Sequence, residues 1–193
     1  MLRRLYDWTM GLAAHPRARV ALGAVSFAES SFFPIPPDVM LIPMVLAERA
    51  RAWTLALLTT LTSVVGGLAG YAIGYFLFES IGQPVLSFYG YEDRFAAFRT
   101  TYDEWGALIV FGAGLTPFPF KVITIASGVF QMNIVVFVLA SVIARGSRFF
   151  LVAALLYWFG PVIRDFIEKR LGLLTIVFFV LLVGGFVLLR YVV

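Results

Sequence analysis

One uninterrupted run decides what this chain can become. From Trp53 to Phe78 about 26 residues pass without an acidic or basic side chain. As a helix rising 1.5 Å per residue, that run reaches about 39 Å, past the roughly 30 Å hydrocarbon core of a bilayer. A second run, Leu171 to Leu189, is about 19 residues long, again enough for a span of roughly 20. Two more apolar stretches, about 20–47 and 107–131, are broken by prolines. Only 13% of the chain is charged, against about 25% in ordinary globular proteins, and the mean hydropathy is +0.94. One polytopic α-helical membrane domain accounts for all of this.

Several function classes drop out. No cysteine is present, which removes disulfides, thiol redox chemistry and thiolate metal sites. The one histidine, His15, lies in a polar N-terminal segment and reads as a headgroup residue. No Ser–His–Asp set, HExxH pair, Walker loop or dinucleotide fingerprint occurs, so the expectation is no enzyme, no metal and no cofactor. The formal charge of +4 is spread along the chain and suits membrane topology better than nucleic acid. A signal peptide is not expected. Residues 1–19, with Arg3, Arg4, Arg17 and Arg19 beside Leu2, Leu5, Trp8 and Leu12, read as an interfacial amphipathic helix.

The prolines set the architecture. Pro34, Pro36 and Pro37 fall within four positions, and each ring removes a donor and clashes with the preceding turn. Freed backbone at membrane depth must be buried in protein or line a wet cavity. The stretch 20–47 therefore reads as a re-entrant hairpin broken at Phe33–Asp38, with Asp38 suited to cap the returning helix. The stretch 107–131 repeats the device at Pro117 and Pro119. One 83-residue offset relates Pro34 to Pro117, Pro36 to Pro119 and Asp38 to Lys121. Broken segments at matching places in two halves point to a transporter site near the midplane. Membrane helices are expected at about 52–78, 134–158 and 171–193, with an interfacial helix at 79–106. Basic residues then divide nine to three: Arg3, Arg4, Arg17, Arg19, Arg49, Arg51, Arg164, Lys169 and Arg170 against Arg94, Arg99 and Arg190. The N-terminus is thus expected in the cytoplasm and the C-terminus outside.

Five charged residues interrupt apolar stretches: Glu29, Asp38, Lys121, Arg145 and Arg148. Each costs about 2.5–3.5 kcal/mol at a helix centre on insertion scales, so such residues face partners or water. Arg145 and Arg148 stand one turn apart on one helix face. The functional reading is a polar cavity where Glu29 and Asp38 exchange protons or gate, and Lys121, Arg145 and Arg148 hold an anion. The plainer readings are an ion-pair network pinning two hairpins, Asp38 as a cap, and arginines snorkelling to an interface. Gly66, Gly70 and Gly74 give the small-xxx-small spacing of closely packed membrane helices. Ser30, Ser31, Thr116 and Ser127 are expected to satisfy backbone groups freed at the breaks, with direct substrate contact as the alternative.

Glu29 followed by Phe-Phe-Pro-Ile-Pro-Pro-Asp, the second proline-broken hairpin, Ala126-Ser127-Gly128 and a helix bearing Arg145 resemble the DedA (SNARE-associated, VTT-domain) membrane proteins, and among them the YqaA-like branch. The resemblance covers about residues 20–165. It implies two opposed re-entrant hairpins in an inverted repeat, with about three transmembrane helices and interfacial helices. It also implies lipid translocation in a bacterial inner membrane: flipping of a phosphate-bearing carrier lipid, or phospholipid scrambling, with coupling to protons. The family's two acidic residues on the first hairpin are matched by Glu29 and Asp38. Of two arginines around the second hairpin's proline, Lys121 matches the second, and Leu115 or a neighbour stands where the first would be. Arg145 or Arg148 could supply the missing charge. Membrane lipids are the expected partners. A homo-oligomer, a coupled small-solute carrier and a non-transporting membrane-assembly scaffold stay open.

Overall fold

A computed structural model of the chain describes residues 17–84, 92–116 and 118–162. Most of the expected interfacial helix at 1–19, the expected span at 171–193 and Pro117 lie outside the described residues. Six helices are described: α1 (Ala18–Ser31), α2 (Asp38–Ala47), α3 (Ala52–Leu77), α4 (Glu92–Leu115), α5 (Phe120–Val129) and α6 (Ile134–Val162). No strand occurs among the described residues. The order of elements repeats: a helix, a proline break, a ten-residue helix, then a long one.

The breaks fall where the sequence puts its prolines. At the end of α1 the amides of Phe32 and Phe33 both donate to the carbonyl of Ala28, at 2.8 and 2.7 Å. Pro34 and Pro36 then supply no donors, and residues 33–36 hold no regular structure. Pro37 leads into α2, where a missing amide is harmless because first-turn donors are unpaired in any helix. Asp38 is the first residue of α2 and makes no capping hydrogen bond. Its charge still suits the helix N-terminus, but its carboxylate is committed elsewhere, as described below. With ten residues each, α2 and α5 are about 15 Å long, half a hydrocarbon core.

A difference from expectation lies in the connection after α3. Residues 79–106 do not form a separate interfacial helix among the described residues: a π-helical turn covers Phe78–Gly82, and Glu92–Leu115 is one helix. No proline or glycine pair separates the charged part, up to Glu104, from the apolar part after it. The helix therefore propagates across a change in polarity that reads, in the sequence, as a boundary.

Helix α3 is the spine on which α1 and α5 lie. A Cβ at Gly66 would strike the backbone carbonyl of Phe27, one at Gly74 that of Ile125, and one at Gly128 that of Tyr71. Such contacts need glycine because backbone meets backbone. Hydroxyls tighten the same seams. Ser26 Oγ donates to the Thr59 carbonyl at 2.8 Å, and Ser31 Oγ to that of Gly66 at 2.9 Å. Thr124 Oγ1 ties α5 to α1 through the Ser30 carbonyl at 2.9 Å.

Polarity is distributed inside out. Ser26, Ser30, Ser31, Thr59, Ser63, Thr124 and Arg145 are buried, whereas Leu57, Leu61 and Val65 on α3 and Leu139, Ile143, Leu151 and Leu155 on α6 are exposed. Exposed apolar stripes of that length are abnormal in water and natural against lipid. Two helices, Arg49–Ser80 and Ile134–Val162, are long and apolar enough to cross a membrane. Two apolar clusters occupy the ends of the bundle. One gathers Leu22, Leu41, Val45, Leu55, Phe149 and Leu156; the other gathers Val110, Phe120, Ile123 and Phe137. Between them runs a charged layer. Ser63 and Arg145 each stand roughly 17 Å into their long helices, near the middle of a 30 Å core.

Candidate functional site

The two proline breaks face each other across one cavity of about 120 Å³, lined by Glu29, Asp38, Lys121, Arg145 and Arg148 together with Pro34, Pro36, Pro37 and Pro119. All five charged residues singled out in the sequence thus meet in one place. Pro117 lies outside the described residues. At the floor, Arg145 is 1% exposed and Glu29 8%. The lips, Phe33, Pro34, Pro36, Phe118 and Pro119, are exposed.

Each arginine of α6 contacts residues in or flanking both breaks. Arg145 Nη2 donates to Glu29 Oε2 at 2.6 Å, and its guanidinium lies between the rings of Phe120 and Phe149, 4.8 and 4.6 Å from their centroids. Phe120 opens α5, so the inner arginine joins the first break to the second. One turn on, Arg148 Nη2 meets Asp38 Oδ2 at 2.7 Å and Nη1 donates to the Thr116 carbonyl at 2.7 Å. Both side chains of this outer pair are 18% exposed. The inner pair is desolvated and the outer one wetted, so the two differ in how readily they part.

Lys121 is the unmatched charge. It lines the cavity, is half-buried, and forms no ion pair among the described residues. Three cations therefore face two carboxylates, and the surplus favours an anion. At about 120 Å³ the cavity falls below the roughly 300–1,000 Å³ of whole-ligand pockets. It has room for a headgroup-sized anion with water. No group of three or more metal-binding side chains occurs among the described residues.

The hydroxyls divide by role. Thr116 and Ser127 donate to backbone carbonyls of their own helices at 2.9 and 2.7 Å, and Ser31 shares its one proton between the Phe27 carbonyl of its own helix at 2.7 Å and the Gly66 carbonyl of α3 at 2.9 Å. Ser30 does not: its hydroxyl contacts Glu29 Oε2 at 3.2 Å and Ser63 Oγ at 2.7 Å. Ser63 accepts from Arg145 Nε at 2.6 Å. Sequence reasoning missed Ser63 because it sits inside the charge-free run. A signal was there: Thr59, Ser63, Gly66, Gly70 and Gly74 recur at steps of three and four, one small or hydroxylated stripe along a helix face.

Residues 35–158 match the family model described as the VTT domain. A Haemophilus influenzae protein, described only as uncharacterized, is 39% identical over 170 residues, 88% of each chain. A Histophilus somni protein, also described as uncharacterized, is 39% identical over 156 residues, 81% of each chain. No solved structure gives a significant match. The matched region takes in the first break from Ile35 onward, the whole second break and both arginines, so the chain belongs to the VTT-domain family, the DedA/SNARE-associated membrane proteins.

Proposed function

We propose that this protein moves a phosphate-bearing lipid across a bacterial inner membrane, its headgroup passing through the cavity between the two proline breaks. The observation that carries the reading is a surplus cation behind apolar lips. Lys121 has no carboxylate partner among the described residues, while Phe33, Ile35, Leu115, Phe118 and Val122 around the breaks are 40–48% exposed. A free anion gains nothing from such a rim; a headgroup followed by acyl chains does. A phosphate would compete with Asp38 for the Arg148 fork, whose planar donors fit phosphate oxygens, while Lys121 supplies the balancing charge. Glu29 and Asp38 are the groups that would exchange protons. On this reading the broken helix pairs are re-entrant hairpins entering from opposite faces, in a multi-pass chain with its N-terminus cytoplasmic and its C-terminus external.

The test is headgroup accessibility of fluorescent phospholipids in proteoliposomes. Wild type should speed transbilayer movement, and Lys121→Gln should slow that movement at least tenfold (about 1.4 kcal/mol) with an unchanged melting temperature. Movement of a soluble anion without lipid would favour a small-solute carrier. Well-folded protein that moves neither would favour a scaffold whose buried charges only hold the helices together.

A further inference from the structure

The floor of the cavity holds a closed ring of hydrogen bonds whose direction can be worked out. Ser30 Oγ donates to Glu29 Oε2 at 3.2 Å, which uses its one proton. In the 2.7 Å contact between Ser30 Oγ and Ser63 Oγ the donor must then be Ser63. Ser63 in turn accepts from Arg145 Nε at 2.6 Å, and Arg145 Nη2 returns to Glu29 Oε2 at 2.6 Å. Each hydroxyl accepts once and donates once, and every donation runs from the guanidinium toward the carboxylate. Charge-assisted bonds at both ends polarise the two neutral links between them.

The ring ties three helices together at one point: α1 through Glu29 and Ser30, α3 through Ser63, and α6 through Arg145. It occupies one carboxylate oxygen and two guanidinium nitrogens. Glu29 Oε1 and Arg145 Nη1 make no hydrogen bond among the described residues, although both residues line the cavity. The stacking of Arg145 between Phe120 and Phe149 fixes the plane of the guanidinium, and the Ser63 bond fixes its rotation within that plane.

We infer that Ser63 is a positioning residue of the cavity: by closing the ring on the spine helix it presents Glu29 Oε1 and Arg145 Nη1 to whatever enters. The reading rests on the proposal that a phosphate headgroup binds there. Asp38, Lys121 and Arg148 share the cavity and act on the same contents, but none of them contacts the ring hydroxyls. A neutral hydroxyl orients the Arg145–Glu29 pair without adding charge, whereas a second carboxylate at position 63 would make the pair net negative and repel an incoming anion.

Two measurements on the purified full-length chain in detergent test this. The first needs no ligand. With ¹⁵N-labelled arginine, the Arg145 Nε–H signal, assigned by its loss in Arg145→Lys, should be protected from solvent exchange in wild type. Exchange should speed at least tenfold in Ser63→Ala, with burial supplying the protection that is left, and keep the wild-type rate in Ser63→Thr, which keeps the hydroxyl. The second is affinity for a short-chain phosphatidic acid. Ser63→Ala should weaken binding about tenfold, the scale of one hydrogen bond to a charged group. Ser30→Ala, which opens the same ring from α1, should reproduce that loss and stands in if Ser63→Thr fails to fold. In a Glu29→Gln background Ser63→Ala should add less than twofold, because the ring is already weakened. An exchange rate in Ser63→Ala equal to that of wild type overturns the ring, whatever the lipid does. A protected ring with wild type binding no phosphatidic acid sinks the proposed function and leaves the ring standing. Affinity within twofold of wild type in both Ser63→Ala and Ser30→Ala removes the positioning role.

Discussion

Replacing Glu29 by alanine is expected to cost about 3–5 kcal/mol of stability, the usual penalty for stranding one member of a buried ion pair. Arg145 is 1% exposed, and its side chain is held between two phenylalanine rings that offer no alternative acceptor. Without Glu29 the guanidinium keeps, among the described residues, Ser63 alone as a hydrogen-bond partner. Against a total stability of about 5–15 kcal/mol for an ordinary domain, that loss should appear as a collapse in the yield of folded protein and a large drop in melting temperature. The control is the double change Glu29→Leu with Arg145→Met. Removing both charges removes the desolvation debt as well as the attraction, and such replacements are often neutral or stabilising by about 1–4 kcal/mol. A double variant that is well folded but moves no lipid would assign the pair to function. Equal damage from the single and double changes would mean that the pair itself holds the fold together.

Gly128→Ala should be nearly as damaging, at about 3 kcal/mol, the upper end for overpacking. The added methyl would meet the Tyr71 carbonyl, with the amide of Tyr75 at 2.8 Å. Both are backbone atoms of α3, and no rotamer change relieves them. Either α5 lifts off the spine or the contact strains, and lifting α5 also draws Thr124 away from Ser30. Gly112→Ala is the matched comparison. Nothing lies within 4 Å of where its Cβ would stand, so it should be neutral or gain up to about 1 kcal/mol of helix propensity. Thermal unfolding of both variants in one detergent checks the contrast, and a Gly128→Ala protein melting like wild type would refute the close packing of α5 on α3.

The sequence makes the breaks legible because proline acts locally: a ring without a donor stops a helix wherever the chain goes next. Charges in apolar stretches are legible for a similar reason, since burying one is costly enough to demand a partner. Which partner is another matter. Glu29 and Arg145 are 116 positions apart, and Asp38 and Arg148 are 110. Nothing local distinguishes that pairing from the crossed one. Asp38 shows the limit most clearly: its place after two prolines suits a cap, yet its carboxylate goes to Arg148 and no cap bond forms. The length of α4 was hidden because polarity changes along it while its backbone continues. For Ser63 the stripe of small and hydroxylated residues marks a packed helix face, but its partners, Ser30 and Arg145, are set only when the helices meet.

On the proposed function the cavity between the two breaks must open for lipid to pass, and the absence of cysteine from the sequence allows a direct test. Phe33→Cys and Phe118→Cys would place one thiol on each lip of the cavity. In proteoliposomes the double variant should cross-link readily with a short bifunctional reagent, lipid movement should stop on cross-linking, and a reducible linker should restore it on cleavage. Rapid cross-linking with lipid movement undiminished, or no cross-linking between thiols that line one small cavity, would contradict the account.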